Sequence, residues 1–221
     1  MFLKELFALL LLLIAAFPAA HDVKRHLLPK LQKDRSFQHI TYAIIFALFL
    51  LWSAQAGIKD NLSIHFLGLT TLSLMYGWKI AYLLSGIVSL LLATFGELDF
   101  FQFPEYLLLS GLVPIAISYI IFNLTYKYLP RNIFVFIFIA GFFNGAVTGS
   151  LHLVINSLYH VVNDTHDWAT IVDNYLIFTP LLAFPEGLLN GMATAMLCVF
   201  KPEWLRVFSD KDYIYNHYHK K

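Results

Sequence analysis

The chain has 221 residues, 59% of them hydrophobic and only 13% charged, with a mean hydropathy of +0.67, which leaves too thin a charged coat for a water-soluble domain. The 17% aromatic share, with 21 Phe, suits lipid contact and the aromatic belts of a membrane interface. A net charge of +1 says nothing about partners, and a single cysteine, Cys198, excludes both an internal disulfide and a multi-cysteine metal site.

Apolar segments of about 20 residues alternate with short polar breaks, which predicts an all-α polytopic membrane bundle and not a barrel. The expected spans are seven: 2–20, 38–56, 62–77, 80–95, 103–126, 132–160 and 171–200. They form one transmembrane domain over 1–203, followed by a short polar cytoplasmic tail over 204–221. The third span is short, and the sixth is long enough to tilt or to break at its glycines. A basic loop, HDVKRHLLPKLQKDRS, separates the first two.

The first segment also fits a secretory signal, with Lys4, an apolar core and small residues after it, but Pro18 falls where cleavage wants a small residue. Orientation decides for a retained helix. With the N-terminus outside and seven spans, 13 of the 15 Lys and Arg fall on the cytoplasmic side, and only Lys4 and Lys59 fall outside. Eight of the 14 acids lie outside, five inside, and Glu186 lies within the seventh span. The outer face thus carries six negative charges in excess, enough to concentrate cations there. Exclusion of Lys and Arg from outer loops accounts equally for that acidity.

Polar groups within the hydrocarbon mark function or helix contacts. His65 lies three residues into the third span, a depth of roughly 5 Å at helical rise. His152 and His160 lie eight residues apart on the sixth span and share a face, with Asp164, His166 and Asp167 beyond them. Imidazoles beside carboxylates suit a divalent transition metal, although no standard zinc spacing is present. His160 and His166 also read as exposed loop histidines, and His152 as an interhelical hydrogen-bonding group. In LLAFPEGLLNGM, Glu186 falls mid-span beside Pro185, and Gly187 and Gly191 allow close helix approach. An intramembrane Glu has to be protonated, paired or facing a wet cavity, with Asn190 or Asn144 as expected partners. Gln at 186 is expected to keep the fold, and Leu to disturb it. Gly141, Gly145 and Gly149 form a second small-residue stripe. No glycine is followed by lysine, so ATP hydrolysis through a phosphate-binding loop is excluded, and no G-x-S-x-G nucleophile elbow occurs.

Three stretches, DRSFQHITYAIIFALFLLWSAQAGIKDNLSIHFLGLTTLSLMYGW, YLPRNIFVFIFIAGFFNGA and LLAFPEGLLNGMATAMLCVFKPEWL, together resemble the energy-coupling factor ABC transporter permeases of the cobalt/nickel substrate-binding type (CbiM/NikM). The HFLG motif carries His65, and FPEGLLNGM is similar to the family's GEG segment, with Glu186 on its Glu. The resemblance implies a compact bundle of about seven helices in the plasma membrane. It also implies capture of Ni²⁺ or Co²⁺ as substrate at the outer face. A coupling transmembrane subunit and ATPase subunits would supply the energy, with no catalysis in this chain and no nucleic-acid partner. In the family the metal is held by the N-terminal amine, a His at the second residue and a His opening a later helix. His65 matches that later His, whereas Phe2 stands at the second position. Substitute ligands are expected from His152, His160 or His166. The rival readings are a membrane metalloenzyme built on His65, His152 and His160, and a structural membrane protein that has lost metal binding. The depths of His65 and His152, roughly 5 and 12 Å, count against the enzyme.

Overall fold

The computed structural model describes residues 2–57, 59 and 62–213. Among the described residues regular structure is helical, and the one pairing of extended chain is an isolated antiparallel bridge between Ala56 and Ile64. The helices that build the bundle are α1 (Lys4–Lys33), α2 (Arg35–Ser53), α3 (Leu69–Tyr76), α4 (Trp78–Thr94), α5 (Phe103–Tyr128), α6 (Ile133–Val162) and α7 (Trp168–Phe200). Five of these, α1, α2, α5, α6 and α7, are long and apolar enough to cross a membrane, and α4 is shorter, with 17 residues. Their outward faces are apolar, with Phe7, Ile14 and Phe17 of α1 and Leu181, Phe184 and Met196 of α7 exposed, while Ser, Thr, Asn and Glu side chains lie inside. That inversion suits a lipid surround.

Two stretches differ from the sequence expectation. The basic loop is helical: α1 runs on through a π-turn at Val23–Leu27 to Lys33, and the wider turn absorbs the backbone bond that Pro29 cannot donate. The helix stops at Asp34, which is extended and whose carboxylate accepts the Phe37 N–H at 3.0 Å, capping α2. The second difference is the third expected span. Residues 62–68 are not helical, and only Leu69–Tyr76 coil, about 12 Å of helix against a hydrocarbon thickness of about 30 Å.

Polar contacts tie the bundle together at each of its two ends. At one, the Lys4 ammonium donates to Asn163 Oδ1, and the Tyr159 hydroxyl donates to Glu105 Oε2 at 2.5 Å. At the other, Lys30 donates to the Glu203 carbonyl at 2.7 Å, and Trp204 Nε1 donates to Asp34 at 3.2 Å. Arg206 pairs there with Asp22 and donates to the Tyr76 carbonyl at 3.1 Å. Residues 204–213 pack onto this end. Phe208 and Tyr213 stack at 5.1 Å and both meet the edge of Phe136, at 5.0 and 4.9 Å. Lys220 and Lys221 of the expected tail, and Asp60 on the opposite face, lie outside the described residues.

Helices α6 and α7 interlock through glycine. A Cβ on Gly141 would sit 3.0 Å from Thr194, on Gly145 2.9 Å from Asn190, and on Gly149 3.0 Å from Glu186. The stripe on α6 is therefore room for three polar side chains of α7. In return, Gly187 and Gly191 of α7 accommodate Phe142, where an added Cβ would lie 2.9 Å away in both cases. Asn144 joins α6 to α5: its amide donates to the Ser118 carbonyl at 3.0 Å and the Ala140 carbonyl at 3.1 Å, and its oxygen accepts from Thr148.

Candidate functional site

The site begins with the segment that is not a helix. After α2 the chain turns back on itself, with Ala56 and Ile64 exchanging N–H···O bonds of 2.9 and 2.7 Å. It then runs extended into the bundle to Gly68. Such a segment survives at membrane depth only if protein groups satisfy its backbone. Trp52 Nε1 donates to the Leu67 carbonyl at 3.0 Å. The Leu67 and Gly68 N–H groups donate to Glu186 Oε2 and Oε1 at 2.8 and 2.9 Å. Asn190 donates to Glu186 Oε1 at 2.8 Å and accepts the Thr71 N–H at 2.9 Å. Gly68 has φ +65°, a left-handed conformation that a glycine adopts freely, and it redirects the chain into α3. Glu186 is 1% exposed and Asn190 fully buried, so α7 places a carboxylate and an amide against the free N–H groups of a buried helix start. A helix N-terminus favours negative charge there.

His65 lies three residues before Gly68 and is 6% exposed. Its ring packs against Trp52 at 5.7 Å, lies nearly parallel to Tyr106 at 6.0 Å, and meets His152 edge-on at 5.9 Å. Nε2 is 3.4 Å from the Tyr106 hydroxyl, and Nδ1 is buried without a hydrogen-bond partner. If Nε2–H donates to Tyr106, the Nδ1 lone pair is left open, which is the form that ligates metals. His152 on α6 has Nδ1 3.3 Å from the Leu109 carbonyl and Nε2 3.0 Å from the Asn156 amide. Asn156 in turn reaches the Tyr175 hydroxyl at 3.5 Å.

The depth mismatch inferred from sequence disappears for a physical reason. Extended chain advances about 3.3 Å per residue, not 1.5 Å, so three residues carry His65 to roughly 10 Å, level with His152. His160 does not join them. It lies eight residues along α6, about 12 Å on, and its Nδ1 is 2.9 Å from Thr165 Oγ1, with His166 at 6.1 Å between rings. Among the described residues no group of three or more His, Cys, Asp or Glu converges to hold a metal ion.

The three histidines line one cavity of about 470 Å³, together with Tyr106, Asn156 and Tyr175. Exposed Glu97 and Asp99, together with Glu105, also line it, and among the described residues no Lys or Arg does. The sequence reading did not single out Tyr106, Asn156 or Tyr175. Only Asn156 carried a signal, one helical turn after His152.

This arrangement defines an integral membrane protein with a polar, acidic-mouthed cavity set into one end of a helical bundle. The chain belongs to the family described as cobalt uptake substrate-specific transmembrane region, CbiM, whose model matches residues 2–204. The resemblance carried by the HFLG and FPEG segments is thereby borne out. Among curated proteins and solved structures nothing matches the chain.

Proposed function

We propose that the chain is the substrate-capturing membrane subunit of a cobalt or nickel uptake system of the energy-coupling factor type. It lies in the plasma membrane and depends on a coupling subunit and ATPases for energy. The observation that carries this reading is His65: a buried imidazole with an unpartnered nitrogen, next to a second imidazole, in a cavity lined by carboxylates and, among the described residues, by no Lys or Arg. Imidazole suits the later divalent metals. His65 and His152 are the proposed ligands, and His160 lies on the cavity wall farther along α6. The metalloenzyme reading is the weaker one. A catalytic centre of that kind uses about three protein ligands around an open position, and the described residues bring together two imidazoles.

Equilibrium dialysis of the tag-free protein against radiolabelled cobalt tests the reading. The expected result is saturable binding, one ion per chain, that weakens on acidification because protons and metal compete for the same lone pairs. Capture should also slow as salt screens the carboxylates. A protein that retains no cobalt, either as the aqua ion or bound to a small ligand, overturns it.

The proposed orientation places the Asp22, Tyr76 and Arg206 end in the cytoplasm and the cavity outside. Seven crossings then follow, the third made by an extended half and by α3. Cysteines introduced at Ser36 and Ser209 should resist membrane-impermeant maleimide in intact cells and react once the membrane is opened. Reaction of both in intact cells inverts the assignment.

A further inference from the structure

The cavity does not match a naked ion. A divalent transition metal takes at least about four donors, and the described residues bring together two imidazole nitrogens, from His65 and His152. Neutral phenol and carboxamide groups are poor substitutes for them. Nor does the size fit. The volume of about 470 Å³ falls in the range of small-molecule sites, ~300–1,000 Å³, whereas an ion with about six waters needs roughly 200 Å³ at about 30 Å³ per water. Tyr106, Asn156 and Tyr175 present hydroxyl and amide groups beside the histidine pair, suited to orienting an organic molecule. The charge of the walls narrows the choice further. Glu97, Asp99 and Glu105 repel an anionic complex and attract a cationic one, and among the described residues no Lys or Arg lines the cavity.

We infer that the species this cavity takes is a cationic one-to-one complex of the divalent metal with a small amino-acid-type chelator. The chelator supplies the donors that the described residues do not bring together, and its remaining polar groups meet Tyr106, Asn156 and Tyr175. The step is ligand exchange: one nitrogen each of His65 and His152 replaces a water bound to the metal, His152 Nε2 gives up the hydrogen bond it accepts from the Asn156 amide, and no bond within the chelator breaks. This rests on the metal-capture reading above and specifies its substrate.

The test offers the purified protein three probes: aqua Co²⁺, Co²⁺ with one equivalent of radiolabelled free histidine, and Co²⁺ with citrate. The histidine complex carries net positive charge and the citrate complex net negative charge. The expected result is that the histidine complex binds at least about tenfold tighter than the aqua ion. Labelled histidine should be retained in equal amount with cobalt, and the citrate complex should not be retained. If free histidine instead strips cobalt from the protein and no label is retained, the chelate inference falls while metal capture stands. Equal retention of the citrate complex overturns the charge argument and the inference with it. If none of the three binds, metal capture itself fails.

Discussion

His65→Ala is expected to weaken cobalt binding by about 100-fold, because the ring is a proposed ligand, and to lower thermal stability in detergent only by the packing it makes with Trp52, Tyr106 and His152. Its Nδ1 has no partner, and its Nε2 contact with Tyr106 is long at 3.4 Å, so removing it orphans no strongly bonded group. His152→Ala should behave differently. It leaves the Leu109 carbonyl and the Asn156 amide without their 3.3 and 3.0 Å partner, adding a stability cost of about 1–3 kcal/mol per orphaned group to the loss of binding. Cobalt titration and thermal unfolding of the two variants separate the roles. Wild-type cobalt affinity in His65→Ala would remove the histidine from the site and the metal assignment with it.

Glu186→Leu is expected to be the most damaging single change to the fold, and to the site through it. The carboxylate accepts bonds from Leu67 N, Gly68 N and the Asn190 amide. Deleting it strands buried donors at about 1–3 kcal/mol each. The extended segment that holds His65 loses its anchor, so cobalt affinity should fall by roughly 10–100-fold, as when a group supporting a ligand is removed. The bonding pattern also revises the expectation for Glu186→Gln. Glutamine has one acceptor oxygen where the backbone presents two N–H groups, so its NH₂ must face a donor. It should lose stability and affinity in the same direction as leucine, though by less, and Glu186→Asp should not restore them, because its shorter arm cannot span both N–H groups. Glu186→Leu with wild-type melting temperature and cobalt affinity would show that the carboxylate does not hold this segment.

Much was legible in the sequence. Composition alone required a membrane bundle, because no charged coat of this size covers that much apolar surface. The glycine stripes on α6 and α7 were readable as packing faces, since four-residue spacing puts them on one side of a helix. The segregation of Lys and Arg anticipated which segments share an end: Arg206 meets Asp22, Lys30 meets Glu203 and Trp204 meets Asp34. Glu186 stood out because a mid-span carboxylate demands a partner. One partner, Asn190, was readable from its four-residue spacing, whereas Asn144 turned to Ser118 instead. The other partners could not be read, because they are backbone N–H groups nearly 120 residues away, and every residue but proline carries one.

Local sequence determined that residues 62–77 are apolar enough to be buried; it did not determine their conformation. A membrane segment defaults to helix because helix satisfies its own backbone. It is extended only where Trp52, Glu186 and the backbone of Ala56 supply those hydrogen bonds from elsewhere, and that is a property of the assembled bundle. The same choice fixes the site. The rise per residue of extended chain brings His65 to the depth of His152, whereas helical rise would have left the two rings a turn apart.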